Sequence, residues 1–171
     1  MGHKAKIEEL FFENPSKYFY LREVSKSAKV PKTTVQRILI ELKEDNFIIK
    51  IKDKPYPKYV ANTENFYYKY YKKNNIIKNL YKSSLIEYLV KELNPKTIIL
   101  FGSCAKGEYD GKSDIDIFIE LKEDKIEIAR YERILKHKIN IFFDEKISNL
   151  SKELFNNIIN GEKLYGFIKL K

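Results

Sequence analysis

The sequence predicts an α+β chain built as two domains, and three observations carry that prediction. In the N-terminal half, apolar residues recur at helical spacing and then give way to FIIKI and PKYVA, two short runs around the tip KDKPYP. In the C-terminal half, the β-branched run TIILF at 97–101 and the alternating run DIDIFIE at 114–120 flank a Gly-Ser turn. Charge is also unequal along the chain: 13 basic and 8 acidic residues in 1–62, 6 and 3 in 63–95, and 14 and 13 in 96–171. The net +9 therefore concentrates ahead of the second domain. We place the first domain at 1–62, a helical connector at 63–95 and the second domain at 96–171.

A chain of 171 residues has room for two modest cores. Its 43% hydrophobic and 33% charged residues are ordinary for a globular protein. No apolar run reaches membrane-spanning length and no secretory leader pattern opens the chain, so no membrane partner is expected and a cytoplasmic location is the default. The one cysteine, Cys104, excludes an internal disulfide framework and reads as a small side chain tolerated in a crowded turn. His3 and His137 stand apart from other chemistry-bearing residues and read as surface residues.

The elements follow in order. Ile7, Leu10 and Phe11 form one helical stripe, Leu21, Val24 and Ala28 a second, and Val35, Ile38, Leu39 and Leu42 a third that begins after Pro31. Only a few residues separate the second and third helices, and the two short strands follow. Helix, helix-turn-helix and hairpin in this order resemble a winged-helix DNA-binding domain, recognisable over residues 21–61. That resemblance implies a third helix in the major groove of duplex DNA, with Lys32, Thr33, Thr34, Gln36 and Arg37 on its exposed side. Gln36 suits adenine, Arg37 guanine or phosphate, and the threonines phosphates or thymine methyls. Lys50, Lys52, Lys54 and Lys58 on the wing would add backbone contacts.

In the connector, NFYYKYYKKNN interleaves aromatics with lysines. Such a run can stack unpaired bases, but Phe66, Tyr67, Tyr70 and Tyr71 at helical spacing read better as a stripe packed between domains or across a homodimer. From Ile76 the sequence IIKNLYKSSLIEYLVKEL continues as one amphipathic helix, stopped by Asn94 and Pro95.

The most informative stretch is FGSCAKGEYDGKSDIDIFIE at 101–120. Side chains two apart on a strand face the same way, so Asp114 and Asp116 project together while Ile115, Ile117 and Ile119 face the other side. Two carboxylates beside a strand-to-helix turn of backbone N–H groups suit a divalent cation carrying a nucleotide's phosphates. The pattern FGS, AKG, SDIDIFI resembles the signature of the DNA polymerase β nucleotidyltransferase superfamily, closest to its minimal nucleotidyltransferase domains, over about residues 80–168. NNIINGEKLYG resembles the helix and Leu-Tyr-Gly turn that close such domains.

The resemblance implies a nucleotidyltransferase α/β core with a short mixed sheet. It also implies Mg2+ held by the catalytic Asp114 and Asp116, and an NTP contacted by Gly102, Ser103, Lys106 and Ser113. The family normally carries a third carboxylate on a neighbouring strand. Here the matching position in HKINIFFDEK is Asn140, which can coordinate through its amide oxygen but supplies neither negative charge nor a general base. Asp144 and Glu120 share the site's side of their strands, about 13 Å along from the positions that count. Three functional readings follow. One is an Mg2+-dependent transferase moving a nucleoside monophosphate from an NTP to an acceptor hydroxyl. The second is a DNA-binding transcriptional regulator whose weak or inactive transferase domain binds nucleotide without turning it over. The third, which the resemblance to minimal nucleotidyltransferases implies, is an antitoxin-like protein that modifies or restrains a small helical toxin-like partner.

Overall fold

The structure, a computed structural model, describes residues 2–169 and divides into two units, Met1–Lys72 and Lys73–Lys171. In the first unit the chain runs through α1 (His3–Glu13), β1 (Phe19–Tyr20), α2 (Leu21–Ala28), α3 (Lys32–Glu44), β2 (Ile48–Ile51) and β3 (Lys58–Ala61). The three apolar stripes face inward: Ile7 and Phe11 on α1, Val24 and Ala28 on α2, and Val35, Ile38, Leu39 and Leu42 on α3 are buried, while Leu10 and Leu21 are half-buried. The strands form a sheet of order β1-β3-β2, antiparallel throughout. Sequence periodicity found the β2–β3 hairpin but not β1, which is two residues long and offers no alternation to detect.

Side-chain bonds tie the hairpin to the helices. Glu23 accepts a bond from the Tyr20 backbone N–H at 2.8 Å, which caps the start of α2. The Tyr20 hydroxyl donates to Asp53 at 2.9 Å, and Lys58 approaches the same carboxylate at 3.4 Å. The Tyr20 bond and then Lys58 hold the Asp53 carboxyl below its ordinary range. Lys58 also lies 4.9 Å from the centre of the Tyr18 ring, so its ammonium is engaged within this unit.

The helix α4 (Phe66–Lys82) begins in the first unit and ends in the second. Tyr68 is its anchor in the first unit: 1% exposed, packed against the rings of Phe12 and Phe47, with its hydroxyl donating to the Phe11 carbonyl at 2.9 Å. The aromatic stripe, expected to pack between domains or across a homodimer, faces outward from the first unit. Phe66, Tyr67, Tyr70 and Tyr71 are all exposed, because one helix cannot bury both faces of an aromatic run and Tyr68 fills the available core.

In the second unit the predicted single helix from Ile76 is two, since α4 stops and α5 (Leu85–Leu93) starts after a break at Ser83 and Ser84. Ser84 has a left-handed φ of +63°. The Ser83 hydroxyl donates to the Leu80 carbonyl at 2.7 Å and accepts the Leu85 N–H, replacing the bonds that a continuous helix would make. Then come β4 (Thr97–Phe101), α6 (Gly102–Lys106), β5 (Ile115–Glu120), α7 (Ala129–Leu135), β6 (Ile139–Asp144), a 3-10 turn, α8 (Lys152–Ile159) and β7 (Glu162–Gly166). The sheet order is β6-β5-β4-β7, with β5–β6 parallel and the other pairs antiparallel, so the sheet is mixed. Ile99, Phe101 and Phe118 on one face form a core with Ile147 and Ile158, while Ile98, Leu100, Ile117 and Ile119 point to the other face and are fully buried. The Leu-Tyr-Gly segment lies in β7, an edge strand, and not in a turn. Gly166 ends it at φ +73°, where a Cβ would run into the Lys96 carbonyl. Among the described residues no helix is long and apolar enough to cross a membrane.

Candidate active site

The site sits where β4 ends and β5 begins, because antiparallel pairing brings those two points together. Phe101, the last residue of β4, pairs with Asp116, and Gly102 follows it at once. Gly102 has φ +71°, and a Cβ there would collide with the Asp116 carboxylate. The resemblance implied that this glycine contacts an NTP; in the structure it also makes room for the Asp116 carboxylate. The short α6 is fastened to β5 by Cys104, which is fully buried and whose thiol lies 3.4 Å from the Asp114 carbonyl. The expectation of a small, structural cysteine agrees with that place.

The parallel β5–β6 register pairs Asp116 with Asn140. Asn140 Nδ2 donates to Asp116 Oδ1 at 3.0 Å and to Asp114 Oδ2 at 3.3 Å. One amide thus gathers two carboxylates, as the period of two along each strand requires. In this arrangement Asn140 presents its N–H groups, and its oxygen would face the carboxylates' side only after the amide turns over. Among the described residues, no group of three or more His, Cys, Asp or Glu comes together as a metal cluster. The donor set nevertheless fits Mg2+, a hard cation usually held by one or two carboxylates and completed by water and phosphate oxygens.

Around this pair the other named residues differ. Ser103 is half-buried on the first turn of α6, and Lys106 is exposed at its end. The Ser113 hydroxyl turns back to Asp110, accepting its N–H at 2.9 Å and donating to its Oδ1 at 3.2 Å, which is turn chemistry. Glu120 accepts the Ile147 N–H at 3.4 Å, and Asp144 accepts from Asn149 Nδ2 at 2.9 Å and from the Lys146 N–H at 3.0 Å. Both carboxylates secure the far end of the sheet, as strand spacing required.

Two residues matter more than sequence reasoning allowed. His137 is 6% exposed, not on the surface. Its Nδ1 lies 2.7 Å from the Ser113 carbonyl, which can only accept, so Nδ1 carries the proton; the ring meets Tyr109 edge-on at 5.9 Å. This contact, with the bond from the Ile115 N–H to the Lys138 carbonyl at 2.8 Å, joins the start of β6 to the loop that delivers Asp114. Glu132 on α7 accepts the Ile139 N–H at 3.0 Å and fixes the same strand end. Phe142, two residues beyond Asn140 and so on its side of β6, is 38% exposed and packs edge-on against Phe101 at 5.2 Å. Strand alternation accounts for Phe142 on this side, but nothing in the sequence marked His137 as buried.

In the first unit, Lys32, Thr33, Gln36 and Arg37 are exposed and Thr34 is half-buried on the first turns of α3. Arg37 forms an ion pair with Glu41 at 2.9 Å. Lys50, Lys52 and Lys54 are all exposed on the hairpin.

Comparison with known families accords with the geometry of the second unit. Residues 82–165 match the family model of the nucleotidyltransferase domain. No curated protein matches the chain. The match spans α5 through β7 almost in full and includes Gly102, Asp114, Asp116 and Asn140. Residues 82–165 are therefore similar to a nucleotidyltransferase domain, and the match supports nucleotidyl transfer as the class of chemistry of that segment.

Proposed function

We propose that the chain is an Mg2+-dependent nucleotidyltransferase that moves a nucleoside monophosphate from an NTP to an acceptor hydroxyl, and that its first unit is a winged helix bound to duplex DNA. The observation that carries the transferase reading is the convergence of Asp114 and Asp116, gathered by one amide beside the Gly102 turn. Asp114 and Asp116 would hold the cation, which when bound neutralises charge on the phosphates and on the oxygens of the bond being exchanged. Gly102 keeps the Asp116 carboxylate close to the turn. The N–H groups of that turn and the Ser103 hydroxyl orient phosphate oxygens, and Lys106 offsets their charge. Ser113 acts through the turn that presents Asp114. Asn140 holds both carboxylates together and, having no basic oxygen, leaves deprotonation of the acceptor to solvent or to the substrate itself.

The DNA reading rests on the element order of the first unit and on the exposed polar face of α3. Pro31 precedes that helix and no side chain caps its N-terminus, which leaves its first N–H groups for a phosphate. Lys32, Thr33, Thr34, Gln36 and Arg37 would meet the duplex, with Lys52 and Lys54 on the backbone from the wing.

One observation favours a second reading. The amide at position 140 suits a domain that binds nucleotide more readily than it turns it over, leaving a DNA-bound regulator. Incubation of the full chain with each α-labelled NTP, Mg2+ and hydroxyl acceptors (nucleic-acid ends and protein) separates the two. Covalent label that disappears in Asp116→Asn establishes the transferase. Saturable NTP binding with no label in the natural chain, and label in Asn140→Asp, establishes the second reading.

A further inference from the structure

The most conspicuous feature that neither reading uses is the outward face of α4. Phe66, Tyr67, Tyr70 and Tyr71 are 88%, 71%, 61% and 55% exposed. They occupy positions i, i+1, i+4 and i+5, two neighbouring rows of one helix face. Four adjacent aromatics in water form a patch that a monomer rarely leaves without a ligand. Tyr68, buried on the other side, fixes which way the helix is turned, so the exposure is a property of a packed helix and not of a loose one.

Charge decides what the face is for. The stretch 66–82 contains no aspartate or glutamate, and residues 1–72 carry 15 basic against 9 acidic residues. A second copy of the chain would bring like charge against like. A polyanion carrying flat aromatic rings answers both features, since its rings stack on the side chains while its phosphates sit in the positive field. Duplex DNA hides its base faces within the stack, whereas an unpaired strand offers them.

We propose that this face of α4 binds single-stranded nucleic acid by stacking unpaired bases on Phe66, Tyr67, Tyr70 and Tyr71. The site lies apart in sequence from Lys32–Arg37 and from the Asp114–Asp116 pair, so it stands whether or not the functions proposed for them do.

The test uses the full chain and a fluorescent single-stranded oligonucleotide of mixed sequence, compared at one salt concentration with an abasic strand of equal length. The oligonucleotide is expected to bind at least about tenfold more tightly than the abasic strand, given the usual contribution of each stacked base. The double variant Tyr67→Ala, Tyr70→Ala should remove that preference and leave the abasic affinity unchanged. Both positions are more than half exposed, so unfolding is not expected, and a thermal melt checks this. Should the variant fail to fold, Tyr70→Trp provides a second readout: the chain has no tryptophan, so the single indole must be quenched by the oligonucleotide and not by the abasic strand. Equal affinity for the two strands overturns the proposal. So does a double variant that keeps the base preference while turning a dimer into a monomer in sedimentation, because the face would then belong to a second copy.

Discussion

Replacing Asn140 by aspartate tests the physical account of the site most directly. In the natural chain the amide donates to both carboxylates, at 3.0 and 3.3 Å, and so offsets their mutual repulsion. Asn140→Asp removes two charge-assisted bonds and adds a third negative charge at the same separation. Asn140 is solvent-exposed, so the lower end of each magnitude applies: about 1 kcal/mol for each like-charge contact at water-like screening, and no more than about 1 kcal/mol for the two bonds removed. A net loss of roughly 2 kcal/mol in metal-free buffer lowers the melting temperature of a unit of this size by about 10 °C.

Mg2+ must reverse the order. A cation present at a hundred times its dissociation constant stabilises the folded state by about 2.7 kcal/mol, and a three-carboxylate site binds it more tightly than a two-carboxylate site. Thermal melts of both proteins in EDTA and across an Mg2+ series are the assay. Asn140→Asp is expected to melt lower in EDTA and to gain more from Mg2+ than the natural chain does. If the variant melts at or above the natural chain in EDTA, the amide is not what holds the carboxylates together. If neither protein responds to Mg2+, Asp114 and Asp116 are not a cation site.

Other expectations are more local. Gly102→Ala puts a side chain on a left-handed backbone and against Asp116, so it should lower stability by at least about 1–2 kcal/mol in urea titrations and abolish the Mg2+-dependent shift in melting. Lys32→Ala and Lys52→Ala should each weaken duplex binding irrespective of sequence and flatten the dependence of log K on log salt by about 0.9 for each phosphate no longer neutralised; unchanged slopes would remove these residues from the interface. Gln36→Ala should instead relax base preference with little effect on the slope. Asp53 titrates below its unfolded value because the folded state favours its anion, so its stabilising effect is complete above about pH 4 and is lost as pH falls through the lowered folded value. The stability difference between the natural chain and Asp53→Asn should therefore be constant from about pH 5 to 8 and shrink in more acidic buffer.

Much of this site could be read from sequence because strand geometry is nearly all that is needed to build it. A period of two puts Asp114, Asp116 and Asn140 on the facing sides of two strands, and the run between Phe101 and Asp116 is long enough to reverse the chain. What could not be read were partnerships between residues far apart in sequence. His137 is buried because its ring finds the Ser113 carbonyl and Tyr109, neither of which leaves a local pattern. The helix break at Ser83 and Ser84 looks like continuous amphipathic helix until the serine hydroxyl is seen to take over the backbone bonds.

The aromatic run shows the same limit from the other side. Five rings between Phe66 and Tyr71 fit a helix turned either way, and periodicity alone cannot choose between faces that are both apolar. Phe12, Phe47 and the Phe11 carbonyl choose, by accepting Tyr68. That choice turns the other four rings outward, and it also makes them testable. A variant such as Tyr68→Ala, which removes the anchor, should lower stability by about 3–5 kcal/mol, whereas alanine at Tyr67 or Tyr70 should leave stability within about 0.5 kcal/mol. Equal losses at all three positions would mean that the helix is not held by Tyr68, and the outward face would lose its claim to be a surface.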